Sequence, residues 1–230
     1  MFDLSASEIA AIDLSLRVGL WSVAGGLLPA LAAAWLLARC DFPGKLVFDG
    51  LVHLPLVVPP VVIGYLLLVL LGRSGPLGQV LDDWFGITVA FTWQGAAVAS
   101  AVMAFPLMVR AMRLSLEAVD RKLEAAARTL GAPPWQVFAT VTLPLMAPGL
   151  LAALLLGFAR SLGEFGATIT FVSNIPGETR TLPLALYTFT QTPGGESGAL
   201  RLAVVSVLLA LAALAGSEFL ARRLQRRLAG

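Results

Sequence analysis

The sequence predicts an all-α membrane protein, a polytopic helical bundle of five transmembrane helices or six, and three features predict it. Hydrophobic residues make up 58% of the 230 and charged ones only 13%, against about half and about a quarter in a soluble domain. Mean hydropathy is +0.85, and several apolar runs approach the ~20 residues that cross a bilayer. Arg and Lys gather between those runs rather than within them. The whole chain, 1–230, reads as one membrane domain with a charged loop at 120–148 set inside it.

Residues 1–12 form an acidic, amphipathic lead-in. Asp3, Glu8 and Asp13 stand where a cleavable signal would carry Lys or Arg, so the first apolar run is expected to stay as an anchor. The first span covers Leu14 to Ala38 and contains Pro29. The second covers Leu46 to Leu71, but Pro55, Pro59, Pro60 and Gly64 exclude a straight helix. Two readings stay open there: a broken span buried in protein or lining a wet path, or a helix that begins late, near Pro60, after an extended interfacial entry. Gly72 to Phe91 is a polar connection with a small interfacial helix around Val80, Leu81, Trp84 and Phe85. The third span covers Thr92 to Met112, the fourth Val137 to Ala159, and the last Leu202 to Leu220. Between the last two, Ala167–Val172 and Leu182–Phe189 are too short to cross and read as re-entrant or interfacial pieces. A sixth crossing would have to be assembled from both.

The loop at 120–148 is the longest charged interruption in the chain. Val119, Leu123, Ala126, Ala127 and Leu130 recur at three- and four-residue spacing, which predicts one apolar face of a short helix. Arg121, Lys122, Glu124, Ala125 and Arg128 fall mostly on the other side. Asp120 is placed to cap the helix, and Gly131 to end it in the left-handed conformation. Pro133 and Pro134 forbid continuation, yet either can open a second helix at its first turn. The product is a helix–turn–helix knuckle between two spans.

Charge sets the orientation. With five spans, the first turn, the knuckle region and the tail share one side and hold 11 of the 16 basic residues. Positively charged loops stay in the cytoplasm, so the knuckle and tail are expected inside, and Gly72–Phe91 and Asn174–Gly198 outside. Composition also excludes chemistry. One cysteine, Cys40, allows no internal disulfide, and one histidine, His53, supplies no ordinary zinc cluster. No H-E-x-x-H and no phosphate-binding G-x-x-x-x-G-K-[ST] loop occurs. No basic stripe is interleaved with aromatics, so nucleic acid is not an expected partner. Neither a cofactor nor a metal is expected.

Glu124-Ala125-Ala126, then Gly131, then Leu143-Pro144, resembles the EAA loop of ABC importer permeases. Arg160-Ser161-Leu162-Gly163-Glu164-Phe165-Gly166-Ala167-Thr168 and Ser173-Asn174-Ile175-Pro176-Gly177-Glu178-Thr179-Arg180-Thr181 are similar to molybdate permeases of the ModB type. So are His53 to Pro60 and Phe105 to Arg110. Sulfate permeases share the Gly-Glu and Asn-Ile-Pro-Gly pattern more loosely. The resemblance implies a multi-pass permease subunit of the bacterial inner membrane, not an enzyme, that moves molybdate by alternating access. Sulfate or tungstate transport is the alternative cargo, and a membrane scaffold without transport the alternative class.

The implied assembly is a homodimer with two ABC ATPase subunits (ModC-like) inside and a periplasmic molybdate-binding protein (ModA-like) outside. The resemblance assigns coupling to the ATPase to Glu124, Ala125, Ala126, Gly131, Leu143 and Pro144. For a tetrahedral dianion the path needs neutral donors, few enough to permit release. Ser161, Thr168, Thr170, Ser173 and Asn174 are the candidates, with Gly163 and Gly166 admitting backbone amides. Glu164 would repel the substrate; it lies four residues after Arg160 on one helical face, so it is expected to form an ion pair and serve structure or gating.

Overall fold

The computed structural model describes the backbone of residues 4–229 and, from 217 onward, the side chain of Phe219 alone. The tail arginines Arg222, Arg223, Arg226 and Arg227 therefore lie outside the described side chains. Every regular element among the described residues is helical. The first, α1 (Ala6–Arg39), takes in the expected lead-in from Ala6 onward, its first three residues lying outside the described ones. Its start is a reciprocal cap: the Ser5 hydroxyl accepts from the Glu8 N–H at 3.3 Å, and the Glu8 carboxylate accepts from the Ser5 N–H at 2.6 Å. Pro29 lies inside it without interrupting it.

Glu8 to Arg39 spans roughly 46 Å along the helix axis, slightly more than the ~40–45 Å of a bilayer with its headgroups. The two ends of α1 thus mark the two interfaces. At one, Arg201 pairs with Glu8 at 2.9 Å, and the Ser15 hydroxyl accepts from the Leu182 N–H at 2.6 Å. At the other, Arg39 pairs with Glu124.

Of the two readings left open for the second span, the broken one holds, and the entry before Pro60 is helical rather than extended. Helix α2 (Lys45–Val57) forms first, the chain breaks at Pro59, and α3 (Pro60–Leu71) leaves at 114° to it. A proline at the first turn of α3 needs no hydrogen-bond donor, which is why the break falls there. Asp49 on α2 pairs with Arg113 at 3.2 Å, tying α2 to the knuckle end of the bundle. The expected interfacial helix is α4 (Pro76–Phe85), with Trp84 exposed and Gly86 in the left-handed conformation after it. Helix α5 (Trp93–Ala118) is capped by the Thr92 hydroxyl.

Past the knuckle, α8 (Leu143–Leu162) returns through the bundle, and the chain breaks again before α9 (Gly166–Val172). Then come α10 (Leu182–Thr190) and α11 (Glu196–Ala229). Among the described residues, four helices are long and apolar enough to cross a membrane, or five if α2 and α3 make one bent span.

Helices α1, α5 and α8 form the centre, closed around Leu37, Met108, Met112, Leu116 and Met146. A second cluster joins α3, α5 and α9 through Ile63, Ala96, Ala99 and Phe171. A third joins α1, α10 and α11 through Ala11, Leu182, Ala185 and Leu202. Small residues set the closest approach. A Cβ on Gly64 would lie 2.5 Å from the Ala167 carbonyl oxygen, and one on Gly166 2.8 Å from the Pro60 Cβ. Without a hydrophobic drive between helices in lipid, such close contact is what holds α3 to α9.

Gly64→Val is therefore expected to destabilise the fold by roughly 1–3 kcal/mol through overpacking, read as a lower thermal midpoint of tryptophan fluorescence in detergent. Gly25→Ala, whose new Cβ meets nothing within 4 Å, should leave that midpoint in place. Equal midpoints for the two variants would contradict the α3–α9 contact.

Candidate functional site

The knuckle is built as its local sequence dictates. The Asp120 carboxylate accepts from the Lys122 N–H at 2.9 Å and opens α6 (Arg121–Thr129). At the other end, the Ala132 N–H donates to the Ala127 carbonyl and the Gly131 N–H to the Arg128 carbonyl. This is the glycine-ended Schellman closure, and Gly131 has φ +87°. Pro134 then opens α7 (Pro134–Val137). A π-turn at Phe138–Thr142 follows, in which the Leu143 N–H reaches the Phe138 carbonyl five residues back. Pro144, one position on, has no N–H to donate. Leu143-Pro144 thus marks where the knuckle becomes α8.

The faces of α6 are not those the spacing predicts. Leu123 is 50% exposed and Leu130 88%, and Ala126 is exposed as well. Glu124, expected on the outer side, is buried at 8%. The reason lies outside the helix. Glu124 Oε1 accepts from Arg39 Nη2 at 3.0 Å and from the Thr142 hydroxyl at 2.7 Å. A buried carboxylate needs such partners, and they come from the end of α1 and the start of α8. Trp35 and Phe138 meet edge-on beside them, with ring centres 5.4 Å apart, and Arg121 donates to the Ala38 carbonyl at 3.4 Å. Of the predicted stripe, Val119 is buried in the core and Ala127 half-buried, while Leu123, Ala126 and Leu130 are left on the surface with Ala125.

Level with the middle of α1, the chain breaks between α8 and α9, and Glu164 occupies the break. Its Oε2 lies 2.6 Å from Arg160 Nη1, the ion pair expected from the spacing. Its Oε1 accepts from the Ala167 N–H at 2.8 Å, so both oxygens are engaged. Ser161 meets Ser22 across the bundle at 2.6 Å. Ser22 itself donates to the Gly19 carbonyl at 2.8 Å, leaving Ser161 as the donor of that pair.

Thr168 donates to the Phe165 carbonyl and Thr170 to the Gly166 carbonyl, each at 2.9 Å. Gly166 is accounted for by its contact with Pro60. Asn174 lies past the end of α9 in a separate network, donating to Thr188 and accepting from Arg180 Nε, each at 2.9 Å. Of the eight candidate path residues, Gly163 and Ser173 alone are exposed.

The residues that sequence spacing missed are Arg39, Thr142, Ser22, Arg180 and Thr188. Arg39 and Glu124 are 85 positions apart, and no local pattern signals that pairing. The available signal was chemical: an acid at the root of a membrane helix hairpin must be paired if it is buried.

A bundle of membrane-length helices, interrupted at mid-depth and carrying a buttressed helix–turn–helix at one end, is the architecture of a transporter's membrane subunit. The chain belongs to the family described as binding-protein-dependent transport system inner membrane component, whose model matches residues 26–229.

Among its relatives, the molybdenum transport system permease protein ModB of Escherichia coli (strain K12) is 63% identical over 219 residues, covering 95% of this chain and 96% of that one. The protein of the same description from Haemophilus influenzae is 60% identical over 221 residues, 96% of each chain. A sulfate transport system permease protein, CysW of Synechocystis, is 38% identical over 217 residues, 93% of this chain and 77% of the other. In fold, the chain resembles the crystal structure of a bacterial alginate ABC transporter in complex with an alginate pentasaccharide-bound periplasmic protein. The TM-score is 0.75 at 18% identity, over 95% of this chain and 80% of that chain.

The Arg39–Glu124 pair generates a test. Each side chain is about nine-tenths buried, and removing one partner of a buried pair costs about 3–5 kcal/mol because the other charge is stranded. Arg39→Ala and Glu124→Ala should each lower the thermal midpoint in detergent, whereas the double variant Arg39→Met, Glu124→Leu recovers most of the loss. Additive losses in the double variant would show that the two side chains do not act on one another.

Proposed function

We propose that this chain is the membrane-spanning permease subunit of an ATP-driven importer that carries molybdate across the bacterial inner membrane. It works as a homodimer, with two ABC ATPase subunits on the cytoplasmic side and a periplasmic molybdate-binding protein outside. The observation that carries the cargo assignment is the gap in identity, 63% to a molybdenum permease against 38% to a sulfate one over nearly the same length. Charge supports the orientation, since the knuckle end holds the larger share of basic residues.

In this reading the knuckle transmits force. Leu123, Ala125, Ala126 and Leu130 are the exposed face offered to the ATPase. Glu124 does not reach outward; it positions α6 against α1 through Arg39 and against α8 through Thr142. Gly131 sets the turn angle, and Leu143 with Pro144 carries the movement into α8. ATP-driven closure of the ATPases would then shift α6, α1 and α8 together, as rigid-body motion in such machines requires.

The path reading centres on the break between α8 and α9. Ser161, Thr168, Thr170 and Asn174 spend their polar groups within the chain. This leaves the exposed Ser173 hydroxyl free to meet a dianion, since the exposed Gly163 already directs its N–H to the Ser161 carbonyl. Weak, sparse contact of this kind permits release. Glu164 serves the gate as a capping and pairing group rather than as a ligand.

Two experiments test this. In proteoliposomes containing the complete complex, binding protein loaded with molybdate should raise ATP hydrolysis above the basal rate and the sulfate-loaded form should not; stimulation by sulfate alone would reassign the cargo. Glu164→Gln should keep its assembly with the ATPase but lose part of the coupling between hydrolysis and uptake. Tighter molybdate capture by that variant would place the carboxylate in the path.

A further inference from the structure

Beside the knuckle, two cavities run into one another. One, of about 460 Å³, is lined by Arg39, Cys40, Arg121, Glu124, Ala125 and Arg128. The other, of about 620 Å³, climbs the outer side of α1 past Leu36, Ala32, Leu31 and Leu28, and is closed on the far side by Trp135 and Phe138. Trp35, Glu124 and Arg128 line both. The combined space is polar and basic at the interface and apolar along the membrane-facing helix.

Its electrostatics are those of an anion site. Glu124 is the one carboxylate in the lining, and Arg39 and Thr142 already satisfy it. Arg121 and Arg128 then remain as uncompensated charge, with no ion pair formed by either among the described residues. Arg39 adds an independent sign. Its side chain is 9% exposed, yet its Nε is buried without a hydrogen-bond partner. Arg39 itself lines the cavity, and its guanidinium carries more N–H donors than the one that Glu124 engages.

We infer that this groove holds an anionic phospholipid of the cytoplasmic leaflet, its phosphate on Arg39, Arg121 and Arg128 and an acyl chain along Leu28, Leu31, Ala32 and Leu36. Basic pockets beside membrane helices at the cytoplasmic surface select such headgroups, and exposed tryptophans such as Trp135 favour that interface. The competing occupant is an acidic side chain of the ATPase. That would fill the basic cavity but leave the apolar one beside it empty. Leu123, Ala126 and Leu130 line neither cavity, and Ala125 alone of the face offered to the ATPase borders the basic one, so the lipid and the ATPase meet α6 on adjoining faces. The cytoplasmic placement rests on the orientation proposed above; the lipid chemistry does not. A lipid wedged between α1 and the knuckle would stiffen the joint that Glu124 makes.

The test is native mass spectrometry of the full chain purified with its ATPase and delipidated in detergent, then titrated with phosphatidylglycerol or phosphatidylcholine of identical acyl chains. One phosphatidylglycerol per copy of this chain should be retained in preference to phosphatidylcholine. Arg128→Gln should weaken that retention about fivefold, the contribution of one basic residue near the surface, while Arg128→Lys keeps most of it. Ala32→Trp, which fills the apolar cavity, should weaken it too.

Three results would overturn the proposal. Equal retention of the two lipids would remove the headgroup site. Binding of glycerol 3-phosphate as tight as that of phosphatidylglycerol would make it a site for free anions. Loss of the ATPase from Arg128→Gln, with lipid retention unchanged, would hand Arg128 to the ATPase interface while leaving the transporter reading intact.

Discussion

A single carboxylate oxygen, Oε1 of Glu124, receives hydrogen bonds from the end of α1 and from the start of α8. Around it the knuckle ceases to be a loop between two spans and becomes a rigid extension of both. The burial of that group explains several neighbours at once. Because Glu124 turns inward, the apolar stripe of α6 turns outward, and the helix presents Leu123 and Leu130 to whatever docks there. Because Arg39 is drawn to Glu124, its Nε is buried with no protein acceptor. An isolated buried charge would be strongly unfavourable, so the pair also ties the order of α6 to the correct packing of α1.

The other organising feature is interruption. Helices broken within a bilayer expose backbone groups that lipid cannot satisfy, so they persist only where protein satisfies them. Here α3 is seated on α9 through Gly64 and Gly166. The free amide at the start of α9 is met by Glu164, which Arg160 in turn neutralises. Most hydroxyls near the break bond to carbonyls three or four residues earlier or to one another. The region is therefore held by internal hydrogen bonds with few donors to spare.

Much of this was legible in the chain. The cap at Asp120, the turn at Gly131 and the helix opening at Pro134 follow from the conformations those residues favour, and each is present. The two short apolar pieces after α8 emerge as α9 and α10, too short to cross. The i,i+4 pair of Arg160 and Glu164 was readable because both partners lie on one helix. The early start of α1 was legible too, in the Ser5-x-x-Glu8 pattern, but acidic composition masked it.

By itself, then, the sequence determined that this is a helical membrane bundle, where its helices stop, and which loop forms the knuckle. Those outcomes depend on hydropathy, backbone preference and contacts within a turn or two, all encoded locally. Only the tertiary structure decided which face of α6 is buried, since Arg39 and Thr142 lie 85 and 18 residues from Glu124. It alone decided that α2 and α3 diverge by 114°, because proline specifies a break but not its angle. It alone assigned Gly166 to packing against Pro60. In each case the controlling partner is distant in sequence, and the energy that selects it arises only once the helices are packed.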